Sequence, residues 1–414
     1  KIIVTPVRRP AGLKRAAQRA VSPTPNDDEK KQKLEVAIPE GEDIDEVEEL
    51  VIIYLQALEK QAENDLAKAK ALFQGTVHEA DRLLRLEAEK KDEAKEFRPN
   101  FHLVMASALC DLSTLRQEEE NAEVEKEEEY LQVALDRLES GLNNKESYDG
   151  IWELELVLVK ILLNMAKVNM RTAFSGEEPP TDEVISKALE KDSSLLKRAT
   201  ETLDKLVDTI ASNIQEYLTK SGIFLNFGEE VINSIQLVQQ HVSSYDDWEN
   251  FNKWGEWCKK KFELLTSKDE KLVTCWLGLA KDQLAKAHFF FQNQDEETEE
   301  VSEDIPLTMD DIGSGLKEGL THIEKALSIT KGNKETYQEV LGEIYLTKCE
   351  IEINLGNITE DMYEEDEEDN DEKENEFYIE AFKSFEFALH HNNERDIPEQ
   401  LTEFFEEWKG EMNN

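Results

Sequence analysis

An apolar stripe at helical spacing recurs along this chain from near Asp45 almost to Lys409, and a pattern of that period cannot sit still as a strand. In "DEVEELVIIYLQALEKQAENDLAKAKALF", Leu50, Tyr54, Ala57 and Leu58 share one helical face. The pattern returns in "FHLVMASALCDLSTL", "YLQVALDRLESGL", "IWELELVLVKILLNMAKVNM" and "DSSLLKRATETLDKLVDTIASNIQEYL". The best strand candidate, "SGIFLNFG", is short and isolated. Seventeen Gly and ten Pro cluster between the helical stretches, where they end elements rather than break them. The fold class is all-α.

The helices show a degenerate repeat. Tetratricopeptide units place Leu-Gly-x-x-Tyr on one helix and a small-large-small series on the next. Leu341, Gly342 and Tyr345 match the first, and Ala381, Phe385 and Ala388 the second. Trp276, Leu279 and Ala280 pair in the same way with Gly319, Ile323 and Ala326. A weaker third case joins Ala106 and Leu109 to Ala134, Leu138 and Gly141. An acidic insert separates the two halves each time: "QEEENAEVEKEEE", "QDEETEEVSED" and "EDMYEEDEEDNDEKENE". Lengthening a surface loop raises closure entropy only slowly, so such inserts are tolerated there. The expected architecture is an α-solenoid of TPR/HEAT-like helix pairs with acidic inter-helix loops, with an irregular helical bundle as the alternative. Three segments are expected: residues 1–44 as a disordered basic tail and linker, 45–144 as an N-terminal helical domain, and 145–414 as a C-terminal helical-repeat domain.

Charge sets the function classes. Acidic residues number 93 against 48 basic ones, for a net charge of −45. That field repels polyanions and draws basic partners, which excludes direct nucleic-acid binding by the body. No apolar run reaches the ~18 residues of a membrane span. The tail has the opposite sign. Residues 1–25 hold Lys1, Arg8, Arg9, Lys14, Arg15 and Arg19 and no acid. Arg8, Arg9, Lys14, Arg15 and Arg19 read as a nuclear-import signal, a mitochondrial presequence or an inert arm. Pro10 and Gly12 interrupt an amphipathic helix and weigh against the presequence. Ser22-Pro23 and Thr24-Pro25 offer phosphorylation sites beside it.

Chemistry-bearing groups do not converge. Cys110, Cys258, Cys275 and Cys349 form no CxxC pair and read as reduced core residues of an intracellular protein. In "GTVHEADRLLRL" (75–86), His78 and Glu79 begin an HExxH-like string, but Arg82 stands where the second His is required. The helical reading of that stretch is a start with a Thr76-x-x-Glu79 capping box, an Asp81–Arg85 pair, and Val77, Ala80 and Leu84 as its buried stripe. No phosphate loop, Gly-rich dinucleotide turn or Ser/His/Asp spacing occurs. No catalytic, cofactor or metal residues are assigned. The aromatic run "YDDWENFNKWGEWCKKKFELL" covers more than one helical face. Core packing accounts for most of it, and Trp254 and Trp257 are the candidates to line a partner groove.

"LFQGTVHEADRLLRL" and "RRPAGLKRAAQ" resemble segments of the fungal enhancer of translation termination family, although the residues before Arg8 do not match that family's start. The resemblance implies an all-helical protein in two parts that binds a prolyl-hydroxylase-like 2-oxoglutarate dioxygenase. It implies transport of that enzyme into the nucleus through an import receptor, its restraint when oxygen is low, and a link to hypoxic gene expression and translation termination. Iron and 2-oxoglutarate would then belong to the partner. The reading is therefore a nuclear non-enzymatic adaptor, with shuttling to the cytoplasm left open, and with no cofactor of its own. A chaperone that shields basic histones is the other class that acidic repeats suit.

Overall fold

The computed structural model describes residues 2–4, 34–36, 45–90, 96–117, 124–143, 150–174, 181–294, 305–331, 337–361, 368–391 and 397–412. Helices dominate them. In the first half these are α1 (Glu46–Ala62), α2 (Leu66–Glu89), α3 (Pro99–Gln117), α4 (Val124–Asn143), α5 (Ile151–Phe174), α6 (Asp182–Ser212) and the single turn α7 (Ile214–Tyr217). In the second half they are α8 (Phe227–Val242), α9 (Trp248–Lys268), α10 (Val273–Gln292), α11 (Met309–Thr330), α12 (Gln338–Asp361), α13 (Glu368–His391) and α14 (Glu399–Met412). Two three-residue strands, β1 (Ile2–Val4) and β2 (Leu34–Val36), pair antiparallel with Ile2 opposite Val36. The rest of the 1–44 segment, including Arg8, Arg9, Lys14, Arg15 and Arg19, lies outside the described residues.

The first helix begins where its residues can satisfy its own orphan amides. The Asp45 carboxylate accepts from the amides of Val47 and Glu48 at 3.0 and 2.9 Å, and the Glu48 carboxylate accepts from the Asp45 amide at 3.2 Å. After α1, Asn64 takes φ 59°, a left-handed turn that Asn tolerates better than most residues. The chain then reverses, and α2 packs on α1.

Consecutive helices pair as the repeat pattern requires. α1 packs on α2, α3 on α4, α10 on α11 and α12 on α13. Three alternate pairs also pack on one another: α1 on α3, α3 on α5, and α10 on α12. That is the contact scheme of an α-solenoid, in which each pair buries its free face on its neighbour. All three helix pairs expected from the degenerate signature form. Ala106 and Ala134 are wholly buried in one, Ala280 and Ile323 in the second, Ala381 and Ala388 in the third. Close approach explains the small residues. A Cβ added at Gly141 of α4 would stand 2.9 Å from His102 Cβ of α3.

The acidic inserts are shorter as loops than their sequence suggests. Residues 118–123, 295–304 and 362–367 lie outside the described residues, but α4 starts at Val124 and α13 at Glu368. Part of each of those two acid runs is thus the opening of a helix.

Contacts divide the chain into two compact units. One comprises Lys1–Leu206 with Thr219–Glu230, the other Val207–Leu218 with Val231–Asn414. The division falls later than the 144/145 boundary read from the sequence, because α5 packs on both α3 and α4 and belongs with them. Within the second unit, α14 closes the C-terminal end: Phe405 packs with Cys349, Ala381 and Phe385, flanked by Phe382 and Trp408.

Candidate partner-binding surface

Trp254 and Trp257 lie three residues apart on α9, and the helix separates them. Trp254 is 5 % exposed and belongs to the core stripe with Phe251, Cys258, Phe262 and Leu265. Trp257 falls on the flank of that stripe and is half-buried. Trp254 is accordingly a packing residue, and of the two candidate groove residues only Trp257 reaches solvent. The residues that share its side of the helix are Lys253, Lys260, Lys261, Leu264 and Lys268, at the i, i+3 and i+4 spacings that make one face. Lys253, Lys260 and Lys268 are exposed. The Lys253 ammonium stands 4.4 Å from the centre of the Trp254 ring, and that of Lys261 stands 5.6 Å from the Trp257 ring. The lysine run escaped the sequence reading, which followed the aromatic residues. Its signal was three consecutive lysines in a chain where acids prevail.

The flank of α9 nearest α10 is charge-compensated. Lys286 bonds both Glu256, at 3.0 Å, and its own helix neighbour Asp282, at 3.0 Å. Burial pushes the Asp282 carboxyl up, and Lys286 partly offsets that. This cluster fastens α10 to α9 and leaves Lys259 and Lys260 within electrostatic reach of Glu256.

The "HEADR" stretch is not a helix start. It lies in the middle of α2, which begins at Leu66 behind the cap Asp65. Thr76 is wholly buried, and its hydroxyl donates back to the Leu72 carbonyl at 3.0 Å. Glu79 accepts from Arg82 at 2.6 Å instead of capping. The Asp81–Arg85 pair forms as its spacing requires. Leu83, 2 % exposed, occupies the buried stripe with Val77 and Ala80, and Leu84 is only half-buried. His78 points to solvent.

The cysteines are all free and buried. Burial pushes the Cys110 thiol up to about 12 and raises those of Cys258, Cys275 and Cys349 as well. Such thiols stay protonated and unreactive near neutral pH. Among the described residues, no cluster of three or more His, Cys, Asp or Glu could hold a metal ion, and no helix is long and apolar enough to cross a membrane.

Stacked helix pairs with a small charged face, and no convergent set of reactive side chains among the described residues, define the class: an α-solenoid repeat protein. The sequence model of the family described as "Nuclear pore complex subunit Nro1" matches residues 8–399, and the chain belongs to that family. Enhancer of translation termination 1 of Saccharomyces cerevisiae (strain S288c) is 24% identical over 323 residues, covering 72% of this chain and 75% of its own. The protein of that name from Vanderwaltozyma polyspora is 32% identical over 132 residues, covering 31% of this chain and 30% of its own. A solved structure titled "The hypoxic regulator of sterol synthesis Nro1 is a nuclear import adaptor" superposes with a TM-score of 0.51 at 18% identity, over 87% of this chain and 93% of that one. At that identity the likeness establishes the shared fold.

Proposed function

We propose that this chain is a non-enzymatic adaptor of nuclear import. The observation that carries the reading is the family match, which begins at Arg8 and runs through nearly every helix. The relative with the same fold is described as a nuclear import adaptor, and stacked helix pairs suit the task because they present a long surface to a protein partner. In this reading the cargo is a prolyl-hydroxylase-like 2-oxoglutarate dioxygenase. The repeat body binds and restrains it, and Arg8, Arg9, Lys14, Arg15 and Arg19 present the complex to an import receptor. The consequences are expression of hypoxic genes and an effect on translation termination. The protein shuttles between cytoplasm and nucleus, needs no cofactor, and contacts neither nucleic acid nor membrane directly.

The test is affinity capture of the tagged full-length chain, with imaging of a variant lacking residues 1–25. Recovery of the dioxygenase, and cytoplasmic retention of both proteins after the deletion, is the expected result. Unchanged nuclear accumulation of the deletion variant overturns the import role of the tail. Recovery of core histones that salt releases, in place of the dioxygenase, overturns the adaptor reading in favour of a histone chaperone.

A further inference from the structure

The lysine face of α9 runs against the charge of the whole molecule. In a chain of 93 acids and 48 bases, most described lysines elsewhere find carboxylates: Lys60 meets Glu63, Lys187 meets Glu183, Lys325 meets Glu270 and Lys348 meets Glu352. On α9, no carboxylate of the described residues lies within ion-pairing distance of Lys253, Lys259, Lys260 or Lys268. Glu256, the nearest candidate, is held by Lys286 instead.

Geometry makes these lysines a stripe. The core side chains Phe251, Trp254, Cys258, Phe262 and Leu265 point α9 inward. The opposite and flanking side then carries Lys253, Trp257, Lys260, Lys261, Leu264 and Lys268 in line. From Lys253 to Lys268 the helix rises roughly 22 Å at about 1.5 Å per residue. An extended segment of about seven residues spans that length. The stripe is also partly pre-arranged. Lys253 rests against the Trp254 ring and Lys261 against the Trp257 ring, so less side-chain freedom remains to be lost on binding.

We propose that this face of α9 docks a short acidic linear segment of a partner protein, its carboxylates on Lys253, Lys260 and Lys268 and an apolar side chain against Trp257 and Leu264. Charge complementarity names the occupant. A basic partner is drawn to most of this molecule's surface and meets a row of like charges at this stripe, with Glu249 and Glu263 exposed beside it. A wholly acidic partner is repelled by the molecule at large. A segment whose acids are confined to one short run gains attraction at this stripe, so that long-range repulsion and local attraction together set its position. The inference rests on the adaptor reading for the existence of a partner and adds the surface and chemistry of recognition.

The probe is a fluorescein-labelled heptapeptide, Glu-Asp-Glu-Leu-Asp-Glu-Asp, titrated with the full-length chain by fluorescence anisotropy at about 50 mM salt, where surface charges act over more than a nanometre. Binding is expected. The double variant Lys253→Glu, Lys260→Glu should weaken it at least about tenfold. Trp257→Ala should weaken it several-fold, as should replacing the peptide leucine by serine. Lys197→Glu, an exposed lysine on α6, should leave it unchanged. No binding by the unaltered chain overturns the proposal. So does equal weakening by Lys197→Glu, which would mark mere bulk charge. Circular dichroism of each variant separates lost binding from lost folding. Capture of the dioxygenase is scored in parallel on the unaltered chain: its failure sinks the adaptor reading, and the peptide titration decides the docking face on its own.

Discussion

Glu153 of α5 accepts a hydrogen bond at 2.7 Å from the backbone amide of Ile223, 70 positions further along the chain. The carboxylate is 1 % exposed and reaches the Phe224 amide as well, at 3.4 Å. It therefore fastens the irregular stretch between α7 and α8, whose only ladder contact is an isolated bridge from Ser221 to Asn226. Glu153→Ala leaves the half-buried amides of Ile223 and Phe224 without this acceptor and should cost about 1–2 kcal/mol. Glu153→Gln keeps one oxygen and should cost less than half of that. Urea unfolding of the two variants checks the order, and equal losses would show that the carboxylate holds nothing in place.

A second polar pair gives the fold a pH dependence. The Tyr54 hydroxyl donates to Asp111 at 2.7 Å. Burial pushes the Asp111 carboxyl up to about 6, from an ordinary 3.8. The folded state thus holds this proton more tightly than the unfolded chain does. The stabilisation from that proton is complete below the ordinary value and lost as pH rises through about 6. Asp111→Asn removes the titration. Relative to the unaltered protein, the variant should gain about 1–2 kcal/mol between pH 4 and pH 7, after allowance for the partial exposure of the group. Denaturation curves at the two pH values measure the gain, and a gap that narrows on raising pH contradicts it.

The helix caps separate two readings of Thr-x-x-Glu-like strings. Asp45→Ala removes a side chain that accepts two amides and pairs with Arg98 at 2.9 Å. It should lower stability by about 1–2 kcal/mol. Thr76→Ala removes only a mid-helix hydroxyl bonded to the Leu72 carbonyl. The better helix propensity of Ala offsets part of the lost packing, so the change should stay below about 1 kcal/mol. Thermal melts of both variants decide, and a larger loss at Thr76 would restore it as a cap.

Trp254 and Trp257 of α9 should diverge in the same way. Trp254→Ala empties a core position and should cost about 3–5 kcal/mol. Trp257→Ala, on the half-buried flank, should cost under about 1.5 kcal/mol and leave the helical circular dichroism intact. Comparable losses at the two positions would place Trp257 in the core.

Helix type and helix pairing were legible in the letters alone. Apolar spacing is a local property, and a face of Leu50, Tyr54 and Ala57 buries itself whatever its neighbour. The small residues Gly141 and Gly319 marked where helices come close, since only a small side chain allows that approach. The excess of acid over base, and the opposite sign of residues 1–25, needed only counting. Other features are settled by packing, because their determinants lie on different segments. Thr76 and Glu79 spell a cap, yet Leu66 to Gln74 are mostly good helix formers that start behind the cap Asp65, so the backbone ladder runs through them. Trp254 and Trp257 are alike in letters, and the direction in which α10 and its Phe289 approach, stacked on Phe251 at 4.5 Å, sends one inward and leaves the other beside the lysines. The grip of Glu153 on Ile223 has no local spelling at all. A buried carboxylate needs donors that converge on it, and for Glu153 those are distant amides that meet it only after the helices have stacked.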